Sequence, residues 1–213
     1  MLNNRLQSVV VLILAVFFVA GTADMSSGSP AGLALGSALG TRDTSMQTSF
    51  GSWMPIDGKT YPVVSGATLK SGNGNISVTL KDFTRIDGGR NTEFVVNGTP
   101  AAGSTVTLQK GAVAFRVPLS ATLTIITPTA QVTIPAADPG SIKKVSTNNR
   151  EDRIGAVLYD GKGTRVSSLG GSFSVMNGVG TTRHLLYNGS SVYIGGAEDK
   201  YALQQVQLEE DPS

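Results

Sequence analysis

The sequence has no cysteine, a single histidine and a single tryptophan. Without cysteine there is no disulfide, no thiolate nucleophile and no thiolate-ligated metal site. A structural zinc site wants four Cys or His ligands, and His184 is one. Any Ser-His-Asp triad would have to use that same His184, and no Gly-x-Ser-x-Gly elbow leads into a helix-like segment. Charge is scarce as well. Charged residues make up 15% of the chain, and 17 Lys and Arg face 15 Asp and Glu. A nucleic-acid footprint would appear as clustered excess basic charge, and a membrane-surface patch as a polybasic segment; neither is present. Long runs of Ala, Leu, Glu and Lys at helical spacing are missing too. Gly is abundant at 26, and Ser, Thr and Val are plentiful. That composition favours many short strands joined by tight turns.

The amino terminus reads as an export signal. Arg5 supplies a positive start, and no acidic residue precedes Asp24. Val9 to Ala20 is an unbroken apolar run of about twelve residues, the length of a signal-peptide core. A membrane-spanning helix needs about 20. Gly21-Thr22-Ala23 then places small residues at the positions a signal peptidase requires. Residues 1–23 are therefore expected to be a cleaved signal peptide, with retention as a membrane anchor as the alternative. A cysteine-free exported chain of this size fits the bacterial periplasm or exterior. Residues 24–52, rich in Gly, Ser and Ala, carry little apolar volume and are expected to form a flexible arm.

From Tyr61 onward the texture is that of strands. Asn75–Leu80 alternates with Ile76, Val78 and Leu80 on one face, the period of a half-buried strand. Similar runs occupy 92–96, 104–108, 112–117, 121–126 and 131–134, with turns expected at Asp87-Gly88-Gly89 and Lys110-Gly111. A second block runs from Ile154 to Ile194, with hairpin turns at Asp160-Gly161 and Asn188-Gly189. The expected fold is all-β, an antiparallel β-sandwich or β-roll of about a dozen short strands. Its domain would cover residues 53–196, with a polar tail over 197–213. Val113, Phe115 and Val117 should be buried on one face, near Leu123 and Ile125.

Several pieces of the first block resemble the FecR domain family. They are Pro62-Val-Val-Ser-Gly66-Ala-Thr-Leu69, Gly72-Asn-Gly74, Ile86–Thr92, Leu108–Val117 and Leu123-Thr-Ile-Ile-Thr-Pro128-Thr-Ala. The last two match the family's succession of a G-x-V-x-F-x-V strand and a T-P-x-A strand. The Gly-Thr-x-Phe strand that follows in the family is altered here, and Gly171-Ser-Phe-Ser-Val175 stands as its counterpart after an insertion. The resemblance implies a non-enzymatic periplasmic β module. Family members relay signals to anti-sigma regions across the inner membrane. Only a few residues precede the apolar run here, so the free-standing exported variety is the closer likeness.

Function is accordingly expected to be binding, with no cofactor and no metal. Asp87 and Asp160 lack the spaced carboxylates of a Ca²⁺ loop and read as turn residues. The expected partner is a protein of the cell envelope, with no nucleic acid, and with a membrane involved only if the amino-terminal segment is uncleaved. Ser146–Asp152 is a charged insertion between the two β blocks, and Asn148, Asn149, Arg150 and Arg153 are the candidate contact residues. A carbohydrate-binding module is the competing reading, carried by Trp53, Tyr61, Tyr159, Tyr187, Tyr193 and Tyr201. A hydrolase using His184 is a third. Mass analysis of the exported protein should find Asp24 as its first residue; an intact Met1 in the membrane fraction would make the apolar run an anchor.

Overall fold

A computed structural model of the chain describes residues 33–48, 51–99, 103–136, 152–178, 180 and 182–195. The expected signal peptide and the polar carboxyl-terminal tail lie outside the described residues. Residues from Leu33 onward belong to one compact unit, and its described elements are all strands. They are β1 (Gly36–Gly40), β2 (Thr44–Gln47), β3 (Met54–Pro55), β4 (Thr60–Val63), β5 (Ala67–Ser71), β6 (Ile76–Leu80), β7 (Arg85–Gly88) and β8 (Glu93–Thr99). After the long β9 (Gly103–Val117) come β10 (Leu123–Ile126), β11 (Ala130–Ile134), β12 (Arg153–Tyr159), β13 (Gly163–Gly170), β14 (Phe173–Asn177), β15 (Arg183–Leu186) and β16 (Ser191–Gly195).

The strands form two sheets around one core. The first runs β4-β1-β6-β7-β9-β12-β13-β16, antiparallel throughout. The second runs β3-β2-β5-β8-β9-β10-β11-β14-β15. Its β9–β10 pair is parallel, which makes the whole mixed rather than antiparallel. The all-β expectation holds, with sixteen strands in place of about a dozen.

β9 belongs to both sheets. Its first half pairs with β8 and β10, its second with β7 and β12. The inward face switches parity midway: Ser104, Val106 and Leu108 are buried, then Val113, Phe115 and Val117. The switch comes from an extra residue. Phe94 pairs with Leu108 and Glu93 with Lys110, so Gln109 is bulged out, and such a bulge bends a strand. The turn expected at Lys110-Gly111 is therefore a bend within a continuous strand. Gly111 adopts φ +87°, a conformation open to glycine. A Cβ there would lie 2.5 Å from Thr92 Oγ1 and 2.7 Å from the Asn91 carbonyl oxygen. The buried Thr92 hydroxyl braces the bend, accepting from Ala112 N and reaching Ala112 O, each at 3.1 Å. Ser71 Oγ accepts from Thr92 N at 3.0 Å and extends the brace into β5.

Across the core, Phe115 of the first sheet meets Phe173 of the second edge to face, with centroids 5.3 Å apart. Leu123 and Ile125 are fully buried beside them in the same cluster, as expected. A hydroxyl chain also joins the sheets. Thr164 Oγ1 lies 2.6 Å from both Thr127 Oγ1 and Thr129 Oγ1.

The flexible arm expected over residues 24–52 is corrected over its described part. β1 lies between β4 and β6, with Ala38 fully buried opposite Tyr61 and Val78. A central strand of small residues contributes its backbone bonds and close approach, which apolar volume does not measure. Likewise Asp87-Gly88 is strand β7 rather than turn. Gly111→Ala should lower stability by roughly 1–3 kcal/mol from conformation alone, and further through crowding against Thr92. Gly161→Ala (φ +93°, nothing within 4 Å) carries the conformational part only. Chemical denaturation of the two variants should rank Gly111→Ala as the more damaging; equal losses would mean that the bend tolerates a side chain.

Candidate interaction surfaces

The expected contact residues divide. Asn148, Asn149 and Arg150 lie outside the described residues. Arg153 is described, and it is not a surface charge: it is 5% exposed. Its guanidinium donates to the carbonyls of Pro118 (2.9 Å), Ala121 (3.3 Å) and Pro135. Those carbonyls stand where β9 ends, where β10 approaches and where β11 ends. A planar fork with five N–H donors suits such a task. Arg153 Nε has no hydrogen-bond partner. Burial lowers the Arg153 pKa, and neighbouring Asp152 raises it in part. Asp152 itself pairs with Arg116 of β9. Arg153 thus ties the start of β12 to the ends of β9 and β11, a positioning role in place of the expected partner contact.

The turn acids act on backbone. Asp160 Oδ1 accepts from Lys162 N and Gly163 N at 2.8 Å each, and these bonds hold its carboxyl below the ordinary carboxylate range. Asp57 does the same for Thr44 N and Oγ1 at 3.1 and 3.0 Å, with the same direction of shift. Asp87 accepts both bonds of the Arg85 Nε on its own strand. Among the described residues no three acidic or His side chains gather as a metal cluster. His184 is half-buried in β15, opposite Val175.

The aromatics are dispersed. Trp53 (43% exposed) precedes β3 and Tyr187 (61%) follows β15, at opposite ends of the second sheet's strand order. Tyr61 and Tyr159 pack partly on the core, Tyr193 is half-buried, and Tyr201 lies outside the described residues. The described aromatics make no coplanar row. A cleft of about 140 Å³ beside Leu35, Leu80, Lys81, Asp82, Thr99 and Ser104 is smaller than the roughly 300–1,000 Å³ of small-molecule pockets.

The outer face of the first sheet differs from this. Register places Ser77, Asp87, Ala114, Ala156, Ser167 and Ser191 in one row across six strands. Side chains two residues away on each strand rise beside that low row. On one side Arg116 faces Ile154, and Leu169 follows on β13. On the other Leu158 lies between Ala112 and Arg165, with Tyr193 next. Ile154, Leu158 and Leu169 are exposed. The register row missed by sequence reading was visible only as alternate Ala and Ser in separate strands.

No protein-family model and no curated protein matches the chain.

Arg153→Met keeps the bulk and removes the donors. It should cost on the order of 3 kcal/mol, since three carbonyls lose a charged partner, and Arg153→Lys should recover only part of it. Thermal melts test this; a melt unchanged by Arg153→Met would return Arg153 to the surface role first expected.

Proposed function

We propose that the chain is an exported, non-enzymatic β module of FecR-like type that binds a protein partner in the bacterial cell envelope. The observation that carries this reading is the outer face of the first sheet. Its floor of Ala114, Ala156 and Ser167 leaves the backbone within reach of a partner surface. Ile154, Leu158 and Leu169 are exposed around that floor, and clustered exposed apolar side chains mark interaction sites on soluble proteins. Arg116 and Arg165 at the margin add polar anchors of the kind enriched at interfaces. The opposite outer face carries Thr68, Thr105, Thr107, Thr124 and Thr133 in its register rows, with its exposed aliphatics far apart, Ile126 on β10 and Leu185 on the edge strand β15. It lacks a comparable cluster. The resemblance to the FecR family over residues 53–134 supports the same class of activity.

A photo-crosslinking residue placed at Leu158 and, separately, at Thr124 tests the reading in intact cells. The Leu158 position should capture one envelope protein and the Thr124 position should not. Equal capture at both, or none at either, would remove this face from the account.

A further inference from the structure

Four strands pair on one side only among the described residues: β3, β4, β15 and β16. Exposed edges invite pairing with another strand, and proteins guard them with proline, charge or brevity. β3 is two residues long and holds Pro55. β4 carries Pro62. β15 is four residues with Arg183 and His184. β16 reads Ser-Val-Tyr-Ile-Gly and has none of these guards.

The direction of its backbone bonds follows from its neighbour. Ser168 N donates to Ser190 O, and Ser168 O accepts from Gly189 N, each at 2.9 Å. Gly163 O instead accepts from Asp160 N on the far side, at 3.2 Å. Bonding direction alternates along a strand, so Thr164, Val166 and Ser168 bond toward β16. Their register partners Ile194 and Val192 return those bonds. The N–H and C=O groups of Ser191, Tyr193 and Gly195 therefore point to the free side. The Tyr193 ring leans the other way, over β13: a Cβ on Gly163 would lie 2.4 Å from Tyr193 Oη.

We propose that β16 is a self-association edge, at which two copies pair their β16 strands antiparallel about a two-fold axis through Tyr193. That register sets Ser191 against Gly195, Val192 against Ile194 and Tyr193 against itself. The strand is symmetric in character about Tyr193: a small residue at each end, a β-branched apolar residue on each flank. Such symmetry suits an isologous contact, which must complement itself. No charge meets a like charge across the seam, since residues 191–195 hold none. Val192 (5%) and Ile194 (8%) are, with Leu186, the most exposed core side chains. The pairing covers them. Five residues a side fall well below the roughly 20–30 of a standard interface, so the dimer is weak and reversible. The inference rests on the backbone edge of β16, whose Ser191 and Tyr193 also border the outer face described above.

Sedimentation of the exported chain over a wide concentration range should show a monomer–dimer equilibrium. Amide exchange at Ser191, Tyr193 and Gly195 should slow as the dimer fills, with the β4 edge unchanged. Tyr193→Cys adds a direct test in a chain with no cysteine of its own. Cα atoms of a hydrogen-bonded antiparallel pair are about 5.5 Å apart, within disulfide reach. Oxidation should therefore link Tyr193→Cys copies at least tenfold faster than Thr60→Cys copies on β4. If Tyr193→Cys fails to fold, the exchange measurement on the unaltered chain stands by itself. A monomer at every concentration would overturn the proposal. So would slow Tyr193 exchange independent of concentration, because the edge would then be covered within one chain.

Discussion

The bend in β9 at Gln109–Gly111 is the constraint on which the other strands depend. Strands β1 to β8 pair with one another or with β9, and strands β10 to β16 do likewise; among the described residues no ladder joins the two groups directly. Each half of β9 makes one such join, β8 to β10 in the second sheet and β7 to β12 in the first. Without the bend, one half of β9 would turn its apolar face to solvent, because side chains alternate with a period of two. The bulge, the positive φ of Gly111 and the Thr92 brace are thus three parts of one device. It lets a single strand serve both sheets while Leu108 and Val113 both face the core.

Much of this fold is legible in the sequence where apolar residues alternate. Ile76-Val78-Leu80, Val113-Phe115-Val117 and Leu123-Ile125 all announce their buried faces. Two kinds of strand stay silent. β1 is built of Gly, Ser, Ala and one Leu, and its buried position is taken by Ala38, too small to register as core. β13 buries Thr164 and Ser168, whose hydroxyls find partners across the sheets and in the turn, so its inner face looks polar. The parity change in β9 is itself visible, but alternate runs separated by Lys-Gly fit a hairpin as well as a bulge. Only pairing on both sides decides between them.

Arg153 illustrates the limit for sites. In sequence it ends a run of polar and charged residues and reads as exposed. Its burial follows from three carbonyls contributed by Pro118, Ala121 and Pro135, two of them far back in the chain. Proline helps to create the need, because it lacks an N–H to join a ladder and marks where strands end. The outer face of the first sheet is hidden for a related reason. Ala114, Ala156 and Ser167 are unremarkable singly and become a floor only when register aligns three strands. What sequence did convey was the class of fold, an all-β scaffold of short strands.

The central claim is that the two strand groups form one cooperative unit through β9. Native-state hydrogen exchange tests it directly. Amides of Val106 and Phe115, on either side of the bend, should exchange only through global unfolding, with the same free energy as each other and as Val78 and Val132 in the flanking groups. A lower opening free energy confined to strands β10 to β16, with β1 to β8 still protected, would show that the groups fold separately and would contradict the account.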